Sequence, residues 1–400
     1  MKKQTLLTLN TAIFASLLSL SAFATSGPDH RSFRALAMGN AFVAVVDDKD
    51  AMYYNTAGLN LINSLGNPSS RPDLAAYPRD RFDLQWDVVG LSGPWGKGWD
   101  TYHFYNKHQN SFSDFDSLRN DQTLFSDLTP FDRNPLGVGV QDGLVFAMHN
   151  FGVATWADAE VSPYVDKGIL IPQAGVQNLQ VDGVFQIAGA RGLLDNKLSV
   201  GVGYRLANRQ QISNYQISAS DISQPDTVIQ AIKDTLNNKL DGAKNFGDYG
   251  NALDLGVLWQ QTNEVRFGAS LENLGMYLNH KPVTPKFTVG TAYTPLILQS
   301  GGRLSRKVNL ALDFEDLFNN DNNYKPLSKI DMGIEVEQNL WWLMSVRLGG
   351  GFKGGYWTAG AGLGLFSAVR IEAVSWADEG GYYTGQIENR VFAVNVAIGN

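Results

Sequence analysis

The last third of the chain, roughly 286–398, constrains the fold most. Short segments follow one another there in which apolar residues alternate with polar or small ones. Met332, Ile334 and Val336 share one face, and Asp331, Gly333 and Glu335 the other. Val308, Leu310 and Leu312 alternate with Asn309, Ala311 and Asp313, and Val369 and Ile371 with Arg370 and Glu372. Phe392, Val394, Val396 and Ile398 alternate with Ala393, Asn395 and Ala397. Successive side chains of a strand point to opposite faces, so each segment reads as a strand with one greasy and one polar or small side. Many such segments of about ten residues, separated by turn residues, are the pattern of a transmembrane β-barrel.

Working back from the C-terminus, strands are expected near 388–398, 367–376, 356–366, 342–349, 328–337, 306–314, 286–294, 263–272, 249–260, 197–210, 180–191, 150–160, 137–148 and 83–91, fourteen in all. The connections alternate between long (92–136, 161–179, 211–248, 273–285, 315–327, 377–387) and short, with 295–305 longer and the Gly-rich 350–355 shorter than the rhythm asks. Bacterial outer-membrane barrels pair short periplasmic turns with long external loops, and an even count leaves both termini in the periplasm. Tyr102–Tyr105 is assigned to the first outer loop. In the third, Pro225 opens a helical stripe of Ile229, Ile232, Leu236 and Leu240 that Gly242 ends, which predicts a helical loop over 219–245.

The other end of the chain is an export signal. Lys2 and Lys3 precede the mostly apolar, uncharged run Leu6–Leu20, and Ala22-Phe23-Ala24 supplies a cleavage pattern, so residues 1–24 read as a signal peptide. Removing them takes away two lysines and no acid, moving the net charge from −7 to −9. An exported acidic chain is a poor nucleic-acid binder. No later apolar run approaches the roughly twenty residues a spanning helix needs, and there is no cysteine to staple a small fold. A secreted soluble β-protein stays open on composition alone.

Residues 25–82 stand apart as an N-terminal segment before the barrel of 83–400. Ala37, Gly39, Ala41, Phe42 and Ala44, then Asp47, Asp48, Ala51, Tyr54, Asn55, Ala57, Gly58 and Leu59, resemble the signature of the FadL-type outer-membrane barrels, including PorV-like and conjugative TraF-like relatives. Thr56 stands where that family carries proline, which puts the turn there in question. The resemblance implies an all-β, antiparallel transmembrane barrel of about fourteen strands with an N-terminal hatch inside its lumen, in the outer membrane of a Gram-negative bacterium. It implies passive uptake of hydrophobic compounds, of the long-chain fatty acid or aromatic hydrocarbon type. The alternative is a non-transporting assembly or shuttle factor with a secretion or conjugation partner. Outer-membrane lipid, a hydrophobic small molecule and the barrel-assembly machinery are the expected partners; no nucleic acid is.

Candidate hatch or ligand-binding residues are Phe42, Tyr53, Tyr54, Asn55, Gly58 and Leu59. Arg205, Arg266, Glu272, Asp313, Glu335, Arg347, Arg370 and Glu372 alternate with apolar residues and are expected to face the lumen. Asp47, Asp48 and Asp50 read as a solvated acidic turn, with weak calcium affinity the lesser reading because no Asp-x-Asp-x-Asp-Gly loop is present. A hatch that must clear the lumen is expected to be held weakly, by polar contacts rather than a packed core. No nucleophile elbow, metal-binding His pair or phosphate-cradling loop occurs, so neither an enzyme nor a cofactor or metal site is expected.

Overall fold

The two-faced segments do form strands, and the strands close on themselves. The computed structural model describes residues 28–62, 82–93, 138–166, 173–217, 249–300, 306–318, 329–340, 344–366, 368–379 and 388–399, with a few residues between 103 and 127 and at 304. The expected signal peptide, the helical loop over 219–245 and all of Tyr102–Tyr105 except His103 lie outside the described residues.

Two short helices, α1 (Phe33–Ala37) and α2 (Ala51–Tyr54), and a 3-10 turn (Thr56–Leu61) precede the first strand. The strands are β1 (Phe82–Gly93), β2 (Val138–Met148), β3 (Phe151–Asp166), β4 (Gln173–Leu193), β5 (Leu198–Ile217), β6 (Gly250–Gln260) and β7 (Val265–Leu274). After the two-residue strands β8 (Tyr277–Leu278) and β9 (Lys281–Pro282) come β10 (Lys286–Tyr293), β11 (Arg306–Phe314), β12 (Ile330–Leu340), β13 (Met344–Lys353), β14 (Tyr356–Leu365), β15 (Val369–Glu379) and β16 (Glu388–Gly399). β8 and β9 pair only with each other; the other fourteen strands each pair antiparallel with both neighbours, β1 with β16, to close a barrel. Closure leaves no open sheet edge, the condition for strands to stand in lipid.

The alternation sorts side chains as the sequence implies. On β6, Leu253, Leu255, Val257 and Trp259 are exposed on the outside, whereas Asp254 between them is 3% exposed. On β16, Phe392, Val394 and Ile398 point out, and Ala393, Asn395 and Ala397 are buried inside. This is a membrane barrel.

Three boundaries differ from the expectation. β3 and β4 continue into what reads as a long loop over 161–179, leaving only 167–172 between them. Pro163 cannot donate to a ladder, and a register shift between Ser162 and Pro163 accommodates it. β5 likewise runs on to Ile217 through a stretch without clear alternation. β13 continues through the glycines to Lys353, so the Gly-rich 350–355 is mostly strand, and only Gly354 and Gly355 turn, with φ of 57° and 93°. The 273–285 connection is no free loop either: Met276, Leu278 and Val283, around the β8–β9 hairpin, are buried in the same apolar cluster as the N-terminal segment.

Candidate functional site: the hatch and the lumen wall

Residues 28–62 fold inside the barrel. Ser32 caps α1: its Oγ accepts from Ala35 N at 3.3 Å and donates to Asp50 Oδ2 at 2.7 Å, tying the start of α1 to the start of α2. α1 reads Phe-Arg-Ala-Leu-Ala and every residue of it is buried, Arg34 included. A guanidinium in that position requires partners. Arg34 makes a bidentate pair with Glu335 of β12, Nε to Oε2 and Nη2 to Oε1, each at 2.7 Å. Its Nη1 reaches Asp48 at 2.6 Å and Asp47 at 3.2 Å, and its charged plane lies 4.9 Å from the centre of the Phe42 ring. Lys307 of β11 closes on Asp47 from the wall. Asn309 Nδ2 donates to Glu335 Oε1 at 3.0 Å, while Arg347 of β13 stands 3.4 Å from Glu335, 3.6 Å from Glu337 and 3.5 Å from Glu372.

The acidic turn is therefore not solvated. Asp47 and Asp48 face cations, and Asp50, itself buried, takes Lys49 Nζ at 2.6 Å as well as Ser32. Burial opposes ionisation of Asp48, but Arg34 and then Lys49 outweigh it and hold its carboxyl at about 2. Burial likewise works against the Lys49 ammonium, and Asp50, Asp87 and Asp48 overcome it, raising its pKa above the ordinary lysine range.

Backbone contacts complete the hold. Asp313 Oδ2 accepts from Phe42 N at 2.6 Å and Val43 N at 2.8 Å, and Arg266 Nη1 donates to Ala44 O at 3.3 Å. Asn55 Nδ2 donates to Val43 O within the hatch and to Val257 O on β6, while its Oδ1 accepts from Ala57 N at 3.2 Å. Gly39 carries φ +67°, and a Cβ there would lie 2.4 Å from Met332 O and 2.6 Å from Phe352 O. Only glycine lets the hatch backbone press so closely on β12 and β13.

Among the other candidate residues, Phe42 is buried edge-on to Tyr54, whose hydroxyl donates to Asn40 Oδ1 at 3.1 Å. Tyr53 packs against His30 and Trp156, with ring centres 4.3 and 5.2 Å away. Leu59 is buried and its carbonyl accepts from Asn150 N in the β2–β3 turn; Gly58 sits where a Cβ would strike Val46 and Ala51. Arg205 pairs with Asp254 at 3.0 Å and stands 3.7 Å from Asp29 of the hatch. Glu272 accepts from Ser270 Oγ, Arg370 donates to Gln85 Oε1, and Glu372 faces Arg347, so each of the three has a wall partner. A cavity of about 10 Å³ between α1 and Glu335, Arg347, Gly362 and Glu372 has room for about one water and for no organic ligand.

The weak, polar hold expected of a hatch does not match this arrangement. Ala35, Met38, Phe42, Val45, Met52 and Leu59 share one buried apolar cluster with Val145, Trp156, Val184 and Leu258 of the wall. Phe33, Leu36 and Ala37 form a second with Val374, Trp376 and Ala393. The sequence reading also passed over Arg34 and Lys307. The available signal was a lone arginine amid the apolar residues of Phe33–Ala37, which demands a buried anion.

No protein-family model matches the chain, and no curated protein does. Among solved structures, it is similar over 95% of its length, and 98% of the other chain, to a deltaS2 mutant of the TodX monoaromatic hydrocarbon channel, at 11% identity and a TM-score of 0.47. It is similar to the P. putida toluene transporter TodX over 93% of this chain and 97% of that one (12% identity, TM-score 0.43). A Pseudomonas aeruginosa FadL homologue is covered to 98% by 94% of this chain, at 8% identity and a TM-score of 0.39. At such values the likenesses do not bear on what this chain carries. The closed strand order and the register establish the barrel.

Proposed function

We propose that this chain is an outer-membrane channel for passive entry of hydrophobic compounds, of the long-chain fatty acid or aromatic hydrocarbon type, with residues 28–62 as its gate. The observation that carries the reading is a separate segment filling a closed lumen and joined to the wall through Arg34, Glu335, Asp47 and Lys307. Non-covalent contacts of this kind are reversible, and a shift of the segment would bare both the charged wall positions and the apolar ones, Trp156, Leu258 and Trp376 among them, to the lumen. An apolar ligand would gain roughly 25 cal/mol per Å² buried on its way in. Outer-membrane lipid surrounds the exposed apolar face, and insertion would need the barrel-assembly machinery. The test is deletion of residues 27–60 from the otherwise full chain, reconstituted in planar bilayers and assayed for fatty acid and toluene uptake in vesicles. Larger conductance with faster, ungated uptake supports the gate; unchanged conductance removes it.

One observation favours a second reading, a non-transporting barrel that serves a secretion or conjugation partner. The two apolar clusters shared by hatch and wall suit a plug that stays in place. Mass spectrometry of material co-purified from native outer membrane separates the two: hydrophobic small molecules favour the channel, and stoichiometric protein favours the scaffold.

A further inference from the structure

β10 and β11 share the shortest seam of the barrel. Val289–Tyr293 faces Leu310–Phe314, and no pairing continues from Leu310 toward Arg306. The chain leaves β10 through a single 3-10 turn, Leu296–Leu298, and folds back along the free edge of β11. There the Gln299 side chain donates to Val308 O at 3.0 Å and accepts from Val308 N at 3.3 Å. A primary amide offers both a donor and an acceptor, so it replaces one residue of the missing strand. Ser300 and Arg306 exchange two backbone hydrogen bonds, and Arg306 Nε donates to Leu298 O at 2.9 Å.

This segment lies on the outside. Lys307, Asn309, Ala311 and Asp313 are the inward positions of β11, so Val308 belongs to the outward set with Leu310. Val308 is nevertheless only 5% exposed, because the turn lies over it. In its place the chain presents Leu296, Ile297 and Leu298, all exposed, Ile297 at 88%. They continue the outward apolar band of Leu310, Tyr293 and the stacked pair Trp259 and Phe267, whose rings are 5.6 Å apart. Several of the turn's polar groups are bonded locally: Leu296 N donates to Glu264 Oε1, Leu298 N to Pro295 O and Gln299 N to Leu296 O, and Pro295 has no N–H. Glu264 and Arg306 flank it with charged side chains bonded to the turn, of the kind that reach toward headgroups at a bilayer interface.

We infer that Leu296–Leu298 is a lipid-inserted foot, seated among the acyl chains of the leaflet at the short-turn end of the barrel. It seals the incomplete β10–β11 seam on the membrane side. Three clustered apolar side chains on a turn whose Leu296 and Leu298 N–H groups are bonded are costly in water and favourable in that leaflet. Continuity with the lipid-facing band makes the bilayer the occupant.

The chain has no cysteine, so Ile297→Cys creates a single thiol. The full chain carrying it is labelled with a nitrobenzoxadiazole dye, folded into phosphatidylcholine vesicles and checked by heat-modifiability. Lys197→Cys, on the exposed turn between β4 and β5, is the aqueous control, and Leu298→Cys repeats the measurement should Ile297→Cys not fold. Iodide is present on both sides of the membrane. The expected result is iodide quenching several-fold weaker at 297 than at 197, with strong quenching by lipid whose nitroxide sits just below the headgroup. Equal iodide quenching at the two positions would put the turn in water and overturn the inference. Shielding from both iodide and the lipid nitroxide would overturn it too, by showing a second copy of the chain over the turn.

Discussion

Arg34 and Glu335, 301 positions apart in sequence, meet through two 2.7 Å hydrogen bonds, one from Nε and one from Nη2. Both side chains are nearly inaccessible, so neither charge has water to fall back on. Their pairing sets the seat of the whole hatch, because the same guanidinium also takes Asp47 and Asp48.

Replacing either partner alone is expected to loosen the hatch strongly. Breaking a buried pair leaves the other charge uncompensated, at a cost of about 3–5 kcal/mol. Arg34→Ala and Glu335→Ala should each raise single-channel conductance and expose the hatch to protease in the folded barrel. The double variant should cost clearly less than the two single losses together. Additive losses would show that the two residues do not act as a pair.

Acid should loosen the hatch through Asp48. Its carboxyl is held at about 2 against an ordinary 3.8, so the docked form binds its proton less tightly than the free form. The stabilisation is complete above about pH 4, and it falls as pH drops from there toward 2. Lys49 has the opposite sign: its raised value favours docking below the ordinary lysine range, and that contribution is lost in strong alkali. Protease protection of the hatch should therefore be flat around neutrality and fall below about pH 4, and Asp48→Asn should shrink the acid limb.

Thr56→Pro is expected to stabilise the chain by about 0.4–1 kcal/mol. Thr56 opens the 3-10 turn, where proline is well placed, and Asn55 before it is extended at φ −162° and ψ 101°, as a residue preceding proline prefers. The Thr56 hydroxyl is buried with no hydrogen-bond partner, so nothing is lost with it. Thermal unfolding followed by the gel shift of the heated barrel reads the change; a lower midpoint contradicts it.

The register of β6 predicts a contrast between neighbours. Leu255 faces lipid while Asp254 faces inward, where it accepts from Gln186 Nε2 at 2.9 Å and pairs with Arg205. Leu255→Arg should cost about 2–4 kcal/mol if it sits near the bilayer midplane. Denaturant titration of refolding into vesicles measures it. Val257→Arg, two residues nearer the short-turn end, should cost less than Leu255→Arg.

The alternation of residues such as Leu253, Asp254 and Leu255 was enough to determine from the sequence that strands form, which side of each meets lipid, and that fourteen of them follow one another. The cause is local: a period of two is written into the strand itself, and lipid selects one face. The extent of β3, β4 and β13 was not legible, because a proline at 163 and glycines at 349–351 argue against strands until their surroundings are known. Only the tertiary structure shows that a bulge absorbs Pro163 and that Gly349 and Gly351 make room for Ala37, Met38 and Gly39 of the hatch. The partners of Arg34 were likewise undecidable from sequence, since Asp48 is 14 positions away and Glu335 301. A buried charge declares that it needs a counter-charge, but which one it meets depends on the closed barrel bringing β11 and β12 around to the hatch.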